Sequence, residues 1–258
     1  MLNTVVNQDR HRLVDRQYAE SCRVAFERDG MLLLDDFLNP DALAQIRQSA
    51  VGSRDDAYFC AQKHTVYLLP SDPLFAAEHV RNQHVVSSKG CICDDQVGLA
   101  SPLRLLYHAA DFQKFVQAVT GQLVLYPYAD RLSSINVHYA ERGQELGWHF
   151  DNSTFAITLM VQKAAQGGCF EFVRDVRETD VDPWNFEKVA DVLENRVEPE
   201  FVDIEPGTLV LFRGQNSLHR VTPNLSDVTR ILAVLAYNTE PNVALSENAR
   251  MTFYGRLN

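Results

Sequence analysis

Residues 205–223 read EPGTLVLFRGQNSLHRVTP and contain two short apolar runs, each of which follows a turn signal. Runs of four to eight residues that are rich in Val, Leu, Phe and Thr and bounded by Gly, Pro, Asn or Ser are typical of β-strands. The same texture begins near residue 122 and predicts further strands in LVLYPYA, SSINVHYA, FAITLMVQ, GCFEFV, FVDI and RILAVLAY. About eight strands within roughly 120 residues favour a jelly roll or barrel over βαβ units.

The first half of the chain has a different pattern, because helix start and stop signals dominate it. Asn39 and Ser101 each stand before a proline, which is the usual arrangement of a helix cap followed by the first helical position. We therefore predict a mainly helical support region over residues 1–121 and a jelly-roll core over residues 122–258. A further start signal predicts a helix near residues 183–195, inserted between two strands of the core.

The composition limits the classes of function that the chain can have. With 258 residues and no internal repeat, it is predicted to form a single domain over residues 1–258, mainly β with flanking helices. The net charge of −10 argues against nucleic acid or an anionic membrane as a partner, since phosphate binding needs clustered Lys and Arg. No apolar run approaches the ~20 residues of a membrane span. The polar N-terminus and five scattered cysteines indicate a reduced, cytoplasmic protein.

The stretch GWHFD places His149 and Asp151 two residues apart. On an extended backbone both side chains face the same side, which is the geometry needed to offer an imidazole and a carboxylate to one ion. The spacing alone is weak, because about one His-x-acid pair is expected by chance in a chain of this composition. A third ligand must therefore come from a distant strand, and His219 begins one such strand.

Arg230 begins the apolar run RILAVLAY, although a guanidinium stays charged and needs an anionic partner when it is buried. Two histidines and one carboxylate on one face form the facial triad of non-haem Fe(II) oxygenases. A nearby arginine is suited to hold a carboxylate of 2-oxoglutarate through paired hydrogen bonds. The sequence thus predicts His149, Asp151 and His219 as iron ligands and Arg230 as the co-substrate anchor. The ordinary alternatives are a backbone-bonded strand histidine for His219 and a salt bridge for Arg230.

These motifs resemble a known superfamily. GWHFD, PGTLVLFRG and HRVTP, followed by Arg230, look like the Fe(II)/2-oxoglutarate-dependent dioxygenases, which are built on a double-stranded β-helix, a cupin-like jelly roll. A narrower likeness is to the group that contains radical halogenases and hydroxylases of free amino acids. It is carried by SPLRLLYHAADFQKFVQAVTG, GWHFDNSTFAITLMVQ, GGCFEFV and ARMTFYGR.

The resemblance implies hydroxylation, because the halogenases of that group carry Gly where this chain has Asp151. Without the carboxylate, iron keeps a position that chloride can occupy. The implied function is an oxygenase that uses Fe(II), 2-oxoglutarate and O2 to hydroxylate an unactivated C–H bond of a small polar metabolite, with a free amino acid preferred. Two alternatives stay open: desaturation, cyclisation or oxidation of a larger natural product at the same iron site, and a metal-binding jelly roll that acts as a sensor or scaffold without catalysis.

Other residues are candidates for the pocket, with a structural role as the alternative in each case. For the co-substrate they are Thr158 and Asn136. For the substrate they are His138, Asn152, Asp130, Arg250 and Tyr254. A charged residue chosen from a sequence is more often on the solvated surface.

Overall fold

A computed structural model describes residues 2–258 and contains six α-helices and eleven strands within that range. The helices are α1 (Arg16–Asp29), α2 (Pro40–Gly52), α3 (Pro102–Tyr107), α4 (Ala110–Thr120), α5 (Phe186–Leu193) and α6 (Glu247–Tyr254). None of these helices is long and apolar enough to span a membrane. The strands are β1 (Met31–Leu34), β2 (Tyr58–Thr65), β3 (His84–Ile92), β4 (Ile135–Ala140), β5 (Leu146–His149), β6 (Ala156–Gln162), β7 (Phe170–Val173), β8 (Glu200–Val202), β9 (Leu209–Phe212), β10 (Leu218–Val221) and β11 (Arg230–Leu235).

The strands β4 to β11 form a jelly roll in which neighbouring strands are antiparallel. One half has the order β9-β6-β11-β4 and the other has the order β5-β10-β7-β8. Strand β3 pairs with both β4 and β5 and so joins the two halves along one side. The predicted fold, a mainly β jelly roll with flanking helices, is confirmed.

The helices of the first half pack against the β9-β6-β11-β4 half and share its main hydrophobic core. Aromatic side chains of α1 and α4, including Phe26, Phe112 and Phe115, lie in one buried cluster with Ile157 and Leu159 of β6. Burial of apolar surface between the two layers stabilises the sheet from outside. The inner face of this half is therefore left for the cavity of the barrel.

Two features of the strand pattern differ from the sequence predictions. The run LVLYPYA forms no regular strand, because Pro127 has no N–H to donate to a ladder; only Tyr126 pairs, with Asn238. In addition, residues 1–121 contribute the long hairpin β2–β3 beside their helices, which was not predicted. Its polar residues conceal the strand pattern, since β2 has one face turned to solvent.

The β5-β10-β7-β8 half of the jelly roll also packs against other elements on its outer face. The predicted insertion is present as α5, between β7 and β8. Together with the segment after β2, it buries Trp148 and Phe150 in a second cluster that includes Val66, Tyr67 and Val189. Trp148 and Phe150 alternate with His149 along the chain, so their burial on the outside turns His149 towards the inside of the barrel.

Candidate metal centre and co-substrate pocket

His149 and His219 lie on adjacent strands at the same level of the barrel. They are direct partners in the β5–β10 pair, and their ring centroids are 4.2 Å apart. Asp151 follows two residues after His149, beyond the end of β5, where its backbone N–H donates to the Gly214 carbonyl oxygen at 3.0 Å. This backbone bond folds the carboxylate back over the two imidazoles.

The donor atoms of these three side chains converge. One ligand atom from each lies within 4.8 Å of the others. Asp151 Oδ1 is 3.8 Å from His149 Nε2 and 3.6 Å from His219 Nε2. A single cation placed between them would be bound by two imidazole nitrogens and one carboxylate oxygen, which is the donor set that suits non-haem Fe(II).

Backbone carbonyl groups fix which nitrogen of each ring faces the centre. His149 Nδ1 lies 2.8 Å from the Gly147 oxygen, and His219 Nδ1 lies 3.0 Å from the Ser217 oxygen. Because a carbonyl only accepts, each Nδ1 must carry the proton and donate it, which leaves each Nε2 unprotonated and free to bind a metal. Both histidines are therefore held in the metal-binding tautomer.

The Asp151 carboxylate shows that the residues fit a cation. Its Oδ2 atom is buried and has no hydrogen-bond partner in the described structure. A buried carboxylate oxygen without a partner is costly, and a metal ion satisfies it. Burial acts to raise the pKa of Asp151, but the neighbouring His219 and His149 outweigh it and hold the pKa below its ordinary value.

The triad has room to form because two neighbouring positions are glycines without a side chain. A Cβ on Gly214 would lie 1.9 Å from Asp151 Oδ2 and 2.9 Å from His219 Cε1. A Cβ on Gly147 would lie 2.5 Å from the backbone oxygen of Val86 on β3. The absence of both side chains therefore allows β5 to approach β3 and Asp151 to approach the histidines.

The three side chains line a cavity of about 210 Å³ inside the barrel, and Arg230 lines the same cavity. Arg230 is 6% exposed, its Nε has no partner, and it forms no ion pair within residues 2–258. Burial lowers the pKa of Arg230 to about 10. A buried guanidinium without a carboxylate is expected to bind one from a ligand.

The wall of the cavity between these polar groups is mostly apolar. Phe212 meets the His219 ring nearly edge-on at 4.8 Å, and Phe170 lies 5.8 Å from that ring. The other apolar residues of the lining are Leu146, Ala156, Ile204, Val210, Val221, Leu232 and Val234. Such a wall excludes water and strengthens the electrostatic interactions inside it.

Two further predicted residues line this cavity, and so does Lys89, which was not predicted. Thr158 lies on its wall, and so does His138. The Lys89 ammonium donates to the His138 ring, with Nζ 3.2 Å from Nε2 and 3.3 Å from Nδ1. Burial, and then the charges of Lys89 and Arg230, hold the pKa of His138 well below its ordinary value, so that the ring is neutral and accepts this bond.

The remaining predicted residues lie outside the cavity lining, where their polar atoms serve the local structure. Asn136 donates to the Leu132 and Ile135 oxygens and accepts from the Tyr254 hydroxyl at 3.0 Å. Asp130 accepts from two backbone N–H groups, and Arg250 donates to two backbone oxygens near the C-terminus. Asn152 is exposed in the loop after Asp151.

Sequence reasoning missed Lys89, Phe170, Phe212 and Gly214 as residues of this site. Lys89 lies on β3, which pairs at the junction of the two halves, and the polar run around it hides the strand. Phe170 and Phe212 belong to strands that were predicted, but nothing in their composition tells which face points inwards. The glycine in FRGQN is a turn signal, and its closeness to Asp151 appears only in three dimensions.

Comparison with known proteins gives a family and a fold. The model of the Halogenase D family matches residues 80–252. No curated protein matches the chain. Among solved structures, a 2OG-Fe(II) oxygenase family oxidoreductase from Burkholderia pseudomallei is 12% identical, with 88% of this chain and 92% of that chain covered and a TM-score of 0.56. AviO1 from Streptomyces viridochromogenes Tue57 is 19% identical over 90% and 98% of the two chains, also with a TM-score of 0.56.

A third solved structure shows a neighbour with its ligands. The epimerase SnoN, in complex with Fe3+, alpha ketoglutarate and nogalamycin RO, is 14% identical over 86% of this chain and 84% of that chain. Its TM-score is 0.56. At this identity the likeness is one of fold.

Proposed function

Because this chain belongs to the Halogenase D family, we propose that it is an Fe(II)- and 2-oxoglutarate-dependent hydroxylase of a small polar metabolite, with a free amino acid as the preferred substrate. The predicted superfamily and enzyme class, a dioxygenase-type enzyme, agree with the family and with the fold neighbours.

His149, Asp151 and His219 hold the iron through their Nε2 atoms and a carboxylate oxygen. When bound together, Fe(II) and 2-oxoglutarate supply the activation of O2 that oxidation of an unactivated C–H bond requires. The protein keeps both imidazoles unprotonated at Nε2 and keeps the carboxylate ionised beside them. Three protein ligands on one face would leave the remaining coordination positions of the metal open.

Arg230 holds the far carboxylate of 2-oxoglutarate. It is the buried cation at the β11 side of the cavity, and no carboxylate of residues 2–258 forms an ion pair with it. Its planar guanidinium offers paired N–H donors that match a carboxylate. Thr158 lines the same cavity and is a candidate for a further hydrogen bond to the co-substrate.

The single observation that carries hydroxylation is the position of the Asp151 carboxylate. Its oxygen lies 3.6–3.8 Å from both Nε2 atoms, where it fills the place of the third protein ligand. The halogenases that this sequence resembles have Gly at that position and so leave it to chloride. With the carboxylate in place, this member of the Halogenase D family hydroxylates its substrate.

The size and polarity of the cavity support a small substrate. It has a volume of about 210 Å³, and its apolar wall carries a few polar groups, among them Lys89 and His138. Such a cavity orients a small ligand by a few fixed contacts. A free amino acid, with its own charged groups, fits this description and is the substrate type of the group that the sequence resembles.

The test is oxidation of an amino-acid panel with Fe(II), 2-oxoglutarate and O2. We expect one or more amino acids to gain a single oxygen atom, with succinate formed in equal amount and neither product formed by His219→Ala. Loss of two hydrogens without gain of oxygen would indicate desaturation instead. If no amino acid couples succinate formation to its own oxidation, the substrate assignment is wrong.

A further inference from the structure

Lys89 is a second cation, besides Arg230, in the cavity of the His149, Asp151 and His219 triad. It lies on β3, opposite Cys60 of β2, and its side chain lines the cavity with the triad and Arg230. The ammonium lies 5.3 Å from the centre of the Phe253 ring of α6. Its stem is thus enclosed between the hairpin, the C-terminal helix and the cavity.

The hydrogen bonds and ion pairs of the described residues leave Lys89 without a negative partner. It donates to the neutral ring of His138, and no carboxylate of residues 2–258 forms an ion pair with it. Burial lowers the pKa of Lys89, and the Asp151 carboxylate, which forms no ion pair with it, acts in the opposite direction. An ammonium with three donors and one imidazole partner keeps donors for a ligand.

The charges of the cavity point to a second anion besides 2-oxoglutarate. The lining carries two cations, Lys89 and Arg230, and one carboxylate, Asp151. The two negative charges of 2-oxoglutarate offset those of Fe(II), and Asp151 offsets one of the two cations. One positive charge stays unbalanced in a largely apolar space, where an unpaired charge is costly.

The position of Lys89 separates it from the co-substrate anchor. Arg230 begins β11 and pairs with Ala140, whereas Lys89 lies on β3, on the far side of β4. His138 lies on the intervening strand β4, two residues before Ala140, and accepts the Lys89 hydrogen bond. The two cations thus lie on opposite sides of β4, so that each can face a different ligand.

We propose that Lys89, with His138 beside it, binds an anionic group of the primary substrate, and that this group is a carboxylate. This assignment rests on the proposed function, because it places the substrate next to the iron and 2-oxoglutarate. It deepens that function by naming the residue that would select a free carboxylate over the corresponding amide, ester or decarboxylated amine.

The experiment measures binding to the iron complex without turnover. The protein is loaded with Fe(II) and 2-oxoglutarate without oxygen, and the charge-transfer band of the complex is titrated with each L-amino acid and with its carboxamide. For the amino acid that perturbs the band, we expect binding roughly 10- to 100-fold tighter than that of its carboxamide, as for a hydrogen-bonded charge pair.

Matched variants assign the preference to Lys89. Lys89→Met is expected to lose most of the preference for the carboxylate and to keep the band and the affinity for 2-oxoglutarate. Lys89→Arg retains the charge and should retain the preference. Lys163→Met is the control, because Lys163 pairs with Asp203 and Glu205 at the surface.

Three results would overturn the proposal. They are an unchanged preference in folded Lys89→Met, a loss of 2-oxoglutarate affinity in that variant, and a band that no carboxylate-bearing compound perturbs. If Lys89→Met does not fold, the folded Lys89→Arg variant decides. Loss of the carboxylate preference in that variant would overturn the proposal, and a retained preference would support it. Absence of the band in the parent protein is a different result, since it would remove the iron site itself.

Discussion

His149 and His219 are direct partners across the antiparallel β5–β10 pair, with their ring centroids 4.2 Å apart. They are separated by 70 positions in the chain, and the register of the two strands places them side by side. Each Nδ1 is held by a carbonyl two residues earlier, so the same local device orients both rings. The candidate metal site is therefore built from one pair of strands, with Asp151 added by the turn that follows β5.

Asp151→Gly is expected to lower hydroxylation by more than about 100-fold, because even loss of a group that only supports a metal ligand costs roughly 10- to 100-fold. The measurement is formation of oxygenated product by mass spectrometry, with succinate followed in parallel. The exposed Asp180 offers a matched control, and Asp180→Gly should keep the parent rate. Unchanged product formation in Asp151→Gly would show that Asp151 is not a ligand.

Gly214→Ala is expected to weaken iron binding by displacing Asp151, since the new Cβ would lie 1.9 Å from Oδ2 of that carboxylate. We expect a loss of roughly 10- to 100-fold in Fe(II) affinity, measured from the charge-transfer band. If the effect acts through Asp151, the double variant Asp151→Gly/Gly214→Ala should bind iron as Asp151→Gly alone does. Fully additive losses of Fe(II) affinity in the double variant would show that Gly214 does not act through Asp151.

Arg230→Met is expected to raise the KM for 2-oxoglutarate by roughly 10- to 100-fold, which is the usual cost of removing a hydrogen bond to a charged group. Arg230→Lys should recover part of this loss, because it keeps the charge without the paired donors. The KM is measured from steady-state succinate formation at varied concentrations of 2-oxoglutarate. Arg142→Met, which removes a surface pair with Asp227, serves as the control. A KM that does not move in Arg230→Met would assign the anchor to another residue.

The metal-free protein is expected to lose stability as the pH falls below about 6.5, the ordinary pKa of histidine. Burial lowers the pKa of His149 to about 3 and that of His138 well below its ordinary value. Unfolding restores the ordinary pKa values of these histidines, so the unfolded chain binds more protons than the folded protein below about pH 6.5. The stability that depends on the neutral buried rings is thus complete above pH 6.5. It is lost as the pH falls towards the pKa values that these histidines have in the folded protein.

Urea unfolding at about pH 7.5 and about pH 5 measures this effect, with an expected drop of roughly 2 kcal/mol in the free energy of unfolding for each such histidine. Replacement of His138 by Phe should reduce the drop by about one histidine's share. A free energy of unfolding that does not change over this range would contradict the prediction that these rings are neutral in the folded protein.

The sequence predicts the jelly roll well because turn residues and short apolar runs are local signals. The strands β4, β6, β7, β9 and β11 fall within the predicted runs, and β10 begins one residue before its run. The hairpin β2–β3 escapes prediction because its polar residues face solvent, and the run with Pro127 mimics a strand by composition alone. Pairing over long distances decides the first case, whereas Pro127, which cannot donate to a ladder, decides the second.

The sequence by itself determined the kinds of donor at the site: two imidazoles, one carboxylate and one arginine in an order that suits iron and 2-oxoglutarate. Residue chemistry and two-residue spacing are local, so they are readable without the fold. Only the tertiary structure decided that Lys89 lines the cavity of the triad, that Gly214 lies against Asp151, and that Asn136 and Tyr254 bond to each other outside the cavity lining. The reason is that strand register and close backbone approach, which no single stretch of sequence encodes, set which side chains share the inside of the barrel.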